Sequence, residues 1–270
     1  MDVFFHNKDN LKKDIIKYII CLMPLYLYAI YKNGIILYIK NLINFFLIFK
    51  IIYFLILTLL AYILTNKILK KKITFDLTFL SLFVIPLFLP FNTNPLVYFF
   101  VMFLFLLFRK YYNIAVVILI FSLLKDFSNP AEISNIYSFT IMDLLWGRNI
   151  GGIGSTSIIL GIIIAIVLAF TNNYKYLISA SGISIFVILS IIFKEYSFLT
   201  SGNAILSLLL ISNWSNKSPM LKKSMLIYGL AIGILGFIFM HFINVYYGMI
   251  LSIAIASIIY NQFLSKKFNI

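Results

Sequence analysis

Residues Trp146–Phe170, WGRNIGGIGSTSIILGIIIAIVLAF, are the one stretch of this chain that is not generic membrane-protein sequence. Four glycines (Gly147, Gly151, Gly152, Gly154) and three small hydroxyl residues (Ser155, Thr156, Ser157) lead directly into an apolar helix. Glycine tolerates left-handed backbone and close backbone approach, so the segment can wrap a ligand or lie against another backbone. The hydroxyls then stand at a helix N-terminus, whose free N–H groups and dipole favour an anion such as a phosphate. The alternative is a small-residue turn capped by Ser155 or Ser157.

The chain on either side is 63% hydrophobic and 18% aromatic with 11% charged residues, which excludes a soluble globule of 270 residues. An all-α polytopic membrane protein is predicted. A net charge of +14 would suggest nucleic acid in a soluble domain. Here the cations lie between apolar runs, where a lipid bilayer accounts for them and no nucleic acid is called for. The opening residues, MDVFFHNKDNLKKD, are polar and lack a small-residue cleavage site, so no removable signal peptide is expected. Cys21 is the sole cysteine, so neither an intrachain disulfide nor CxxC chemistry is open to the chain.

Apolar runs near 14–31, 43–66, 76–90, 95–108, 111–124, 157–171, 176–193, 199–213, 224–241 and 244–264 make ten candidate spans. Residues 125–156 are broken and amphipathic, and are expected to form a loop in spite of the apolar piece from Ile136 to Trp146. Charge placement tests that choice. With a cytoplasmic N-terminus, ten spans put sixteen Lys and Arg inside and leave Lys32, Lys40, Lys125, Arg148 and Lys194 outside. An eleventh span over 136–146 would move Lys222, Lys223, Lys266 and Lys267 outside, against the positive-inside bias. Both termini are therefore expected in the cytoplasm of a multi-pass protein, with the 125–156 loop extracytoplasmic.

Two of these spans look alike. Phe75–Pro95 and Leu199–Pro219 each hold a short apolar run ending in N-x-[N/S]-P, with Asn92 and Pro95 matching Asn216 and Pro219 at one offset of 124 residues. As spans three and eight they would run in opposite directions, the mark of an inverted repeat around a central site. A single transmembrane domain results, with half-units of about 11–124 and 157–264.

Several chemistries lack their residues. Asp76, Asp126 and Asp143 stand alone, so no paired aspartates hold a magnesium diphosphate. With His6 and His241 as the only histidines, neither a metalloprotease cluster nor a Ser–His–Asp set can be assembled. Lys50, inside span two, is either a functional charge or a side chain snorkelling to the outer interface. His241, at the end of span nine, reads as a hydrogen-bonding helix-end residue, and Asp76 as a helix N-cap or an ion site.

Taken in order, these motifs resemble the RnfD/NqrB family, the membrane flavoprotein subunits of Rnf complexes and of sodium-pumping NADH:quinone reductases. The first half offers Asp14 to Pro24, Tyr31 and Gly34, then Ile73, Thr74, Asp76, Leu89, Pro90 and Pro95; the N-P-A element is Asn129, Pro130 and Ala131. The glycine-rich element is Gly151, Gly154, Thr156 and Ser157; it is followed by Ser201 and Gly202, Ser218 and Pro219, and Ile227, Tyr228, Gly229, Gly233 and Leu235. The resemblance implies ten helices in two inverted halves and a place in the plasma membrane. It also implies other membrane and redox subunits as partners, and electron transfer coupled to sodium or proton movement. It implies FMN or riboflavin near the outer loop, with Gly151, Gly154, Thr156 and Ser157 as contacts.

The departures lie in that loop. The family joins FMN to the threonine of an S-G-A-T motif, which is missing here; the nearest remnant is Ser138, Phe139 and Thr140, leaving Thr140 as the attachment candidate. Ser155 replaces a family glutamate, and Ser212, Asn213 and Trp214 replace a T-D-P turn. Two other readings stay open: a small-solute transporter or channel built on the inverted repeat, and a structural subunit that has lost its flavin site.

Overall fold

A computed structural model describes residues 8–70, 77–108, 113–124, 140–149, 151–170, 174–213 and 218–260. Among these residues the chain is helical, with no strand. Ten apolar helices follow the ten predicted spans: α1 Lys13–Ile39, α2 Phe45–Ile68, α3 Thr78–Phe88, α4 Pro95–Leu107, α5 Ile114–Leu124, α6 Ile158–Ala169, α7 Tyr176–Ile192, α8 Gly202–Ile211, α9 Lys222–Phe242 and α10 Gly248–Ile259. Three of them, α1, α2 and α9, are long and apolar enough to cross a membrane by length and composition alone. Two short helices, Ile141–Trp146 and Tyr196–Leu199, lie between the apolar ones. Asp76, Asn129, Pro130, Ala131, Ser138, Phe139, Trp214 and Asn216 fall outside the described residues.

Large apolar side chains coat the outside of the bundle. Phe46 is 89% exposed, Phe170 86% and Phe242 78%, and exposed Ile, Leu and Phe recur along most helices. In water this coat would drive aggregation, and in hydrocarbon it costs nothing. The polar side chains turn the other way: Asn33, Thr58, Ser155, Thr156, Asn203 and Ser207 are all buried.

Packing is closest where small residues face each other. Gly229 and Gly233, one turn apart on α9, lie on Ser181 and Gly182 of α7, and a Cβ at Gly229 would stand 3.2 Å from the Gly182 nitrogen. Close backbone approach of this kind is how helices associate where lipid is as apolar as leucine. The α2–α4 pair is instead held by rings, with Phe54 and Tyr98 edge to face at 4.9 Å and Tyr98 against Phe121 of α5 at 5.2 Å.

The pairings have a pattern. α1 packs on α2 and α3, α2 on α3 and α4, α3 on α5, and α4 on α5; α6 packs on α8, α7 on α8 and α9, α8 on α10, and α9 on α10. Across these groups α1 meets α6, and α5 meets α10.

Two of the shorter helices, α3 and α8, depart from α-helical geometry at their C-terminal ends. At about 1.5 Å per residue α3 and α8 each span roughly 15 Å, about half a bilayer core. In α3 the helix tightens over Ile85–Phe88 at Pro86 and gives way to extended backbone at Leu89. In α8 the last turn widens into a π-helix over Ser207–Ile211. Both changes leave carbonyls without partners inside their own helix, and these must be satisfied from outside.

Candidate functional site

The glycine-rich stretch enters the bundle as extended backbone and lies beside the end of α3. The Ile153 N–H donates to the Leu89 carbonyl and the Gly154 N–H to that of Leu87, each at 2.8 Å. Gly152 lies flat on this neighbour, where a Cβ would stand 2.7 Å from the Leu87 oxygen and from two backbone atoms of Phe88. On the opposite side Gly202, the first residue of α8, presses on the same segment, and its Cβ would come within 2.8 Å of the Ser155 carbonyl oxygen. Two broken helices and one extended segment thus meet in a single buried junction.

Side chains complete its hydrogen bonding. Asn33, in a widened turn of α1, donates from Nδ2 to the Ile153 carbonyl at 2.6 Å. Lys32 beside it donates from Nζ to the Asn149 carbonyl at 3.0 Å. The Asn149 amide in turn reaches the carbonyls of Leu144, Thr156 and Thr200 at 3.0, 3.0 and 2.8 Å. Ser155 accepts from the Gly152 N–H and donates to Asn203 Oδ1 at 2.8 Å, while Asn203 Nδ2 donates to the Tyr246 carbonyl at 2.7 Å. Non-helical backbone at this depth is tolerable because protein groups satisfy it.

The candidate residues therefore have definite places. Gly151, Gly154, Thr156 and Ser157 come together in the junction and are buried. Gly151 faces Thr156, with its Cβ position 3.2 Å from Thr156 Cγ2, and Gly154 faces Leu87. Ser157 caps α6, its Oγ accepting from the Leu160 N–H at 3.4 Å. Thr156 lends its carbonyl to Asn149, while its buried Oγ1 has no hydrogen-bond partner. Thr140 is exposed and caps the helix Ile141–Trp146. Its Oγ1 donates to Asp143 Oδ2 at 2.8 Å and accepts from the Asp143 N–H at 3.2 Å. These bonds, with Arg148 a weaker contributor, hold the Asp143 carboxyl below the usual carboxylate range. Gly147 closes this helix at φ 112°, the left-handed geometry that glycine adopts without strain.

Beside the junction lies a cavity of about 390 Å³, lined by Ile141, Leu144, Arg148 and Asn149 from one connection, Tyr196, Ser197, Thr200 and Ser201 from a second, and Val245 and Tyr246 from a third. Asn149 Oδ1 and Ser201 Oγ are buried without partners. The Arg148 guanidinium is 3.2 Å from Asp143. A guanidinium paired with a carboxylate, two tyrosines, several hydroxyls and apolar walls thus surround this space. Gly151 and Gly154 do not line this cavity, and Thr156 and Leu87 lie against them.

Several of these residues are not among the predicted contacts. Lys32 is placed by charge counting in an outer connection, yet it is buried because α1 continues to Ile39. Its signal is the K-N-G triplet (Lys32, Asn33, Gly34) followed by more apolar sequence. Asn149 lies within the glycine-rich stretch and Asn203 directly follows Ser201 and Gly202, and that proximity to named motifs is the one signal either carries. Lys50, half-buried, donates from Nζ to the Phe91 carbonyl and sits 4.4 Å from the centre of the Phe91 ring. His241, as predicted, is a helix-end residue, with Nδ1 3.3 Å from Glu195.

No curated protein matches the chain. The NQR2, RnfD, RnfE family does match, over residues 119–263, just over half of the chain. The matched region takes in the whole glycine-rich stretch, Asn149, Asn203 and all three walls of the cavity. An apolar ten-helix bundle with its broken backbone in that region is thus a member of the NQR2, RnfD, RnfE family, which supplies membrane subunits of Rnf- and Nqr-type complexes.

Proposed function

We propose that this chain is the RnfD/NqrB-like subunit of an ion-translocating electron-transport complex and that it holds FMN or riboflavin in the cavity beside Asn149. The observation that carries the reading is the family match over residues 119–263. The cavity adds the chemistry. Arg148 offers a cation to a phosphate, Tyr196 and Tyr246 offer faces and edges to a flavin ring, and Ser197, Thr200 and Ser201 offer hydroxyls. Ser201, whose buried Oγ has no hydrogen-bond partner, is the lining hydroxyl with hydrogen-bonding capacity to spare, and Thr156 lies behind the lining. Gly151, Gly154 and Ser157 support the ligand from behind by shaping the junction. The flavin when bound supplies one- and two-electron transfer. The protein's residues bind it, orient it and keep lipid and water from its ring.

The positive-inside count puts this cavity on the outer face and both termini in the cytoplasm of a cell whose plasma membrane holds the complex. Two inverted halves, about 11–124 and 157–264, are supported by five pairings that recur between α1 to α5 and α6 to α10, with the α1–α2 pairing left unmatched. The other membrane and redox subunits of the complex would supply and remove electrons.

The test is the flavin content of this chain purified from native membranes. Its absorption spectrum is expected to show flavin that denaturation releases, because the S-G-A-T attachment motif is absent. Arg148→Ala and Ser201→Ala should each lower occupancy, and Thr140→Val should not. Flavin fluorescence surviving on denaturing gels would move the site to Thr140. A chain that co-purifies with iron–sulfur subunits but carries no flavin would leave a structural subunit and remove the cofactor from this reading.

A further inference from the structure

The start of α9 and the end of α10 enclose a groove. Its walls include Ser224, Tyr228, Ala231 and Leu235 along one stripe of α9, with Ile259 and Tyr260 opposite, and it holds about 150 Å³. At 1.5 Å per residue the stripe from Ser224 to Leu235 runs about 17 Å, close to the roughly 15 Å depth of one leaflet's hydrocarbon. Ala231 and Ile259 are exposed on its rim, so the groove opens sideways toward lipid.

Two features mark what belongs there. Tyr228 is 6% exposed and packs edge to face on Tyr260 at 5.9 Å, and its hydroxyl is buried without a hydrogen-bond partner. A hydroxyl left so is costly, and an occupant of the groove can bring the acceptor it lacks. Earlier in the helix, α9 begins at Lys222 and Lys223, both exposed, and no side chain caps its first N–H groups. Lys223 stands four residues before Ile227, which also lines the groove, and so on the same face of the helix. The lysines and the uncapped helix start both favour an anion at the groove's mouth. A volume of this size takes a slender apolar chain, whereas a drug-sized ring system needs more.

We propose that this groove seats an anionic phospholipid of the cytoplasmic leaflet. The headgroup phosphate rests on Lys222, Lys223 and the first N–H groups of α9, an ester carbonyl accepts from the Tyr228 hydroxyl, and one acyl chain lies along Ala231 and Leu235. The topology expected from charge placement puts this end of α9 on the cytoplasmic face, where anionic lipids collect. A transmembrane helix laid in the same groove would spend its carbonyls internally and bring no anion to the mouth.

Lipid-dependent unfolding tests this. The full-length chain would be purified in a maltoside detergent, stripped of lipid, and melted with phosphatidylglycerol, phosphatidylcholine or glycerol phosphate at equal ionic strength. Phosphatidylglycerol should raise the unfolding temperature several degrees more than phosphatidylcholine, and glycerol phosphate should leave it unchanged. Lys222→Gln combined with Lys223→Gln should lose at least half of that preference, and so should Ala231→Phe, which fills the groove and keeps the lysines. Tyr228→Phe should weaken the response to both lipids, yet be no less stable than the parent in lipid-free detergent, because its hydroxyl has no protein partner. Lys67→Gln combined with Lys70→Gln, at the end of α2, should keep the full preference. An equal response of the parent to both lipids, or glycerol phosphate acting as well as phosphatidylglycerol, would overturn the proposal. So would a preference lost alike in the Lys67 and Lys70 control, or kept whole in Ala231→Phe. A parent that is dimeric in detergent and turns monomeric in Ala231→Phe would give the groove to a second copy instead. If Ala231→Phe does not fold, the lysine pair decides, and a preference it retains refutes the site.

Discussion

Replacing Gly152 by alanine is the most direct test of the buried junction. A Cβ at this position would lie 2.7 Å from Leu87 O, Phe88 C and Phe88 Cα, all of them backbone atoms at the end of α3. No side-chain rotation can relieve that overlap, so either the extended segment or α3 must shift. The shift would strain the Ile153–Leu89 and Gly154–Leu87 hydrogen bonds, both 2.8 Å long. Overpacking of this kind costs about 1–3 kcal/mol, and losing one of the two bonds adds about 1 kcal/mol. Gly151→Ala is the control, because its Cβ would meet Thr156 Cγ2 at 3.2 Å and Ser155 O at 3.3 Å, a contact that small adjustments absorb. Thermal unfolding in detergent should separate the two, at about 2–4 °C per kcal/mol for a chain of this size. A Gly152→Ala chain with the parent's unfolding temperature, or one no less stable than Gly151→Ala, would show that the segment does not lie on α3 as described.

Two further perturbations probe the connections around the cavity. Asn149→Ala removes the donor to three carbonyls and should cost about 1–3 kcal/mol, with water entering from the cavity limiting the loss. Asn149→Asp should be worse at neutral pH, because it turns an acceptor toward the Leu144, Thr156 and Thr200 carbonyls; an aspartate variant as stable as the parent in a melt would refute the network. Thr140→Val should destabilise the Ile141–Trp146 helix in a pH-dependent way. The folded Asp143 carboxyl is held below its unfolded value, chiefly by its bonds to Thr140. Its contribution is therefore complete above the ordinary carboxylate range and is lost as pH falls through it. The gap in unfolding temperature between parent and variant should be widest at neutral pH and narrow in acid to what the Asp143 N–H bond alone contributes; a gap independent of pH would show that the carboxylate is not part of the cap.

The fold was legible because membrane solvation makes residue chemistry read out directly as position. Ten apolar runs became ten apolar helices, and the glycine-rich turn proved to be broken backbone, since apolar length and glycine content are local properties of the chain. The site was less legible because its groups act at long range. Asn149 earns its place only through carbonyls 5, 7 and 51 residues away, and Lys32 through a partner 117 residues away. Nothing next to either residue announces those partners. Lys50 marks the boundary between the two cases. Its charge within an apolar run is a local signal that it must be satisfied, whereas the identity of what satisfies it, the Phe91 carbonyl, follows from where α3 stops. Helix α3 stops there because Pro86 and Pro90 lack N–H groups and Gly152 needs room, so the reason for a lysine in α2 is written in two other parts of the chain. A broken helix inside a membrane therefore carries its own prediction: some donor elsewhere must take up each carbonyl it frees. Across α3 and α8 those donors are backbone amides, hydroxyls, the amide of Asn213 and, just after α3, the ammonium of Lys50.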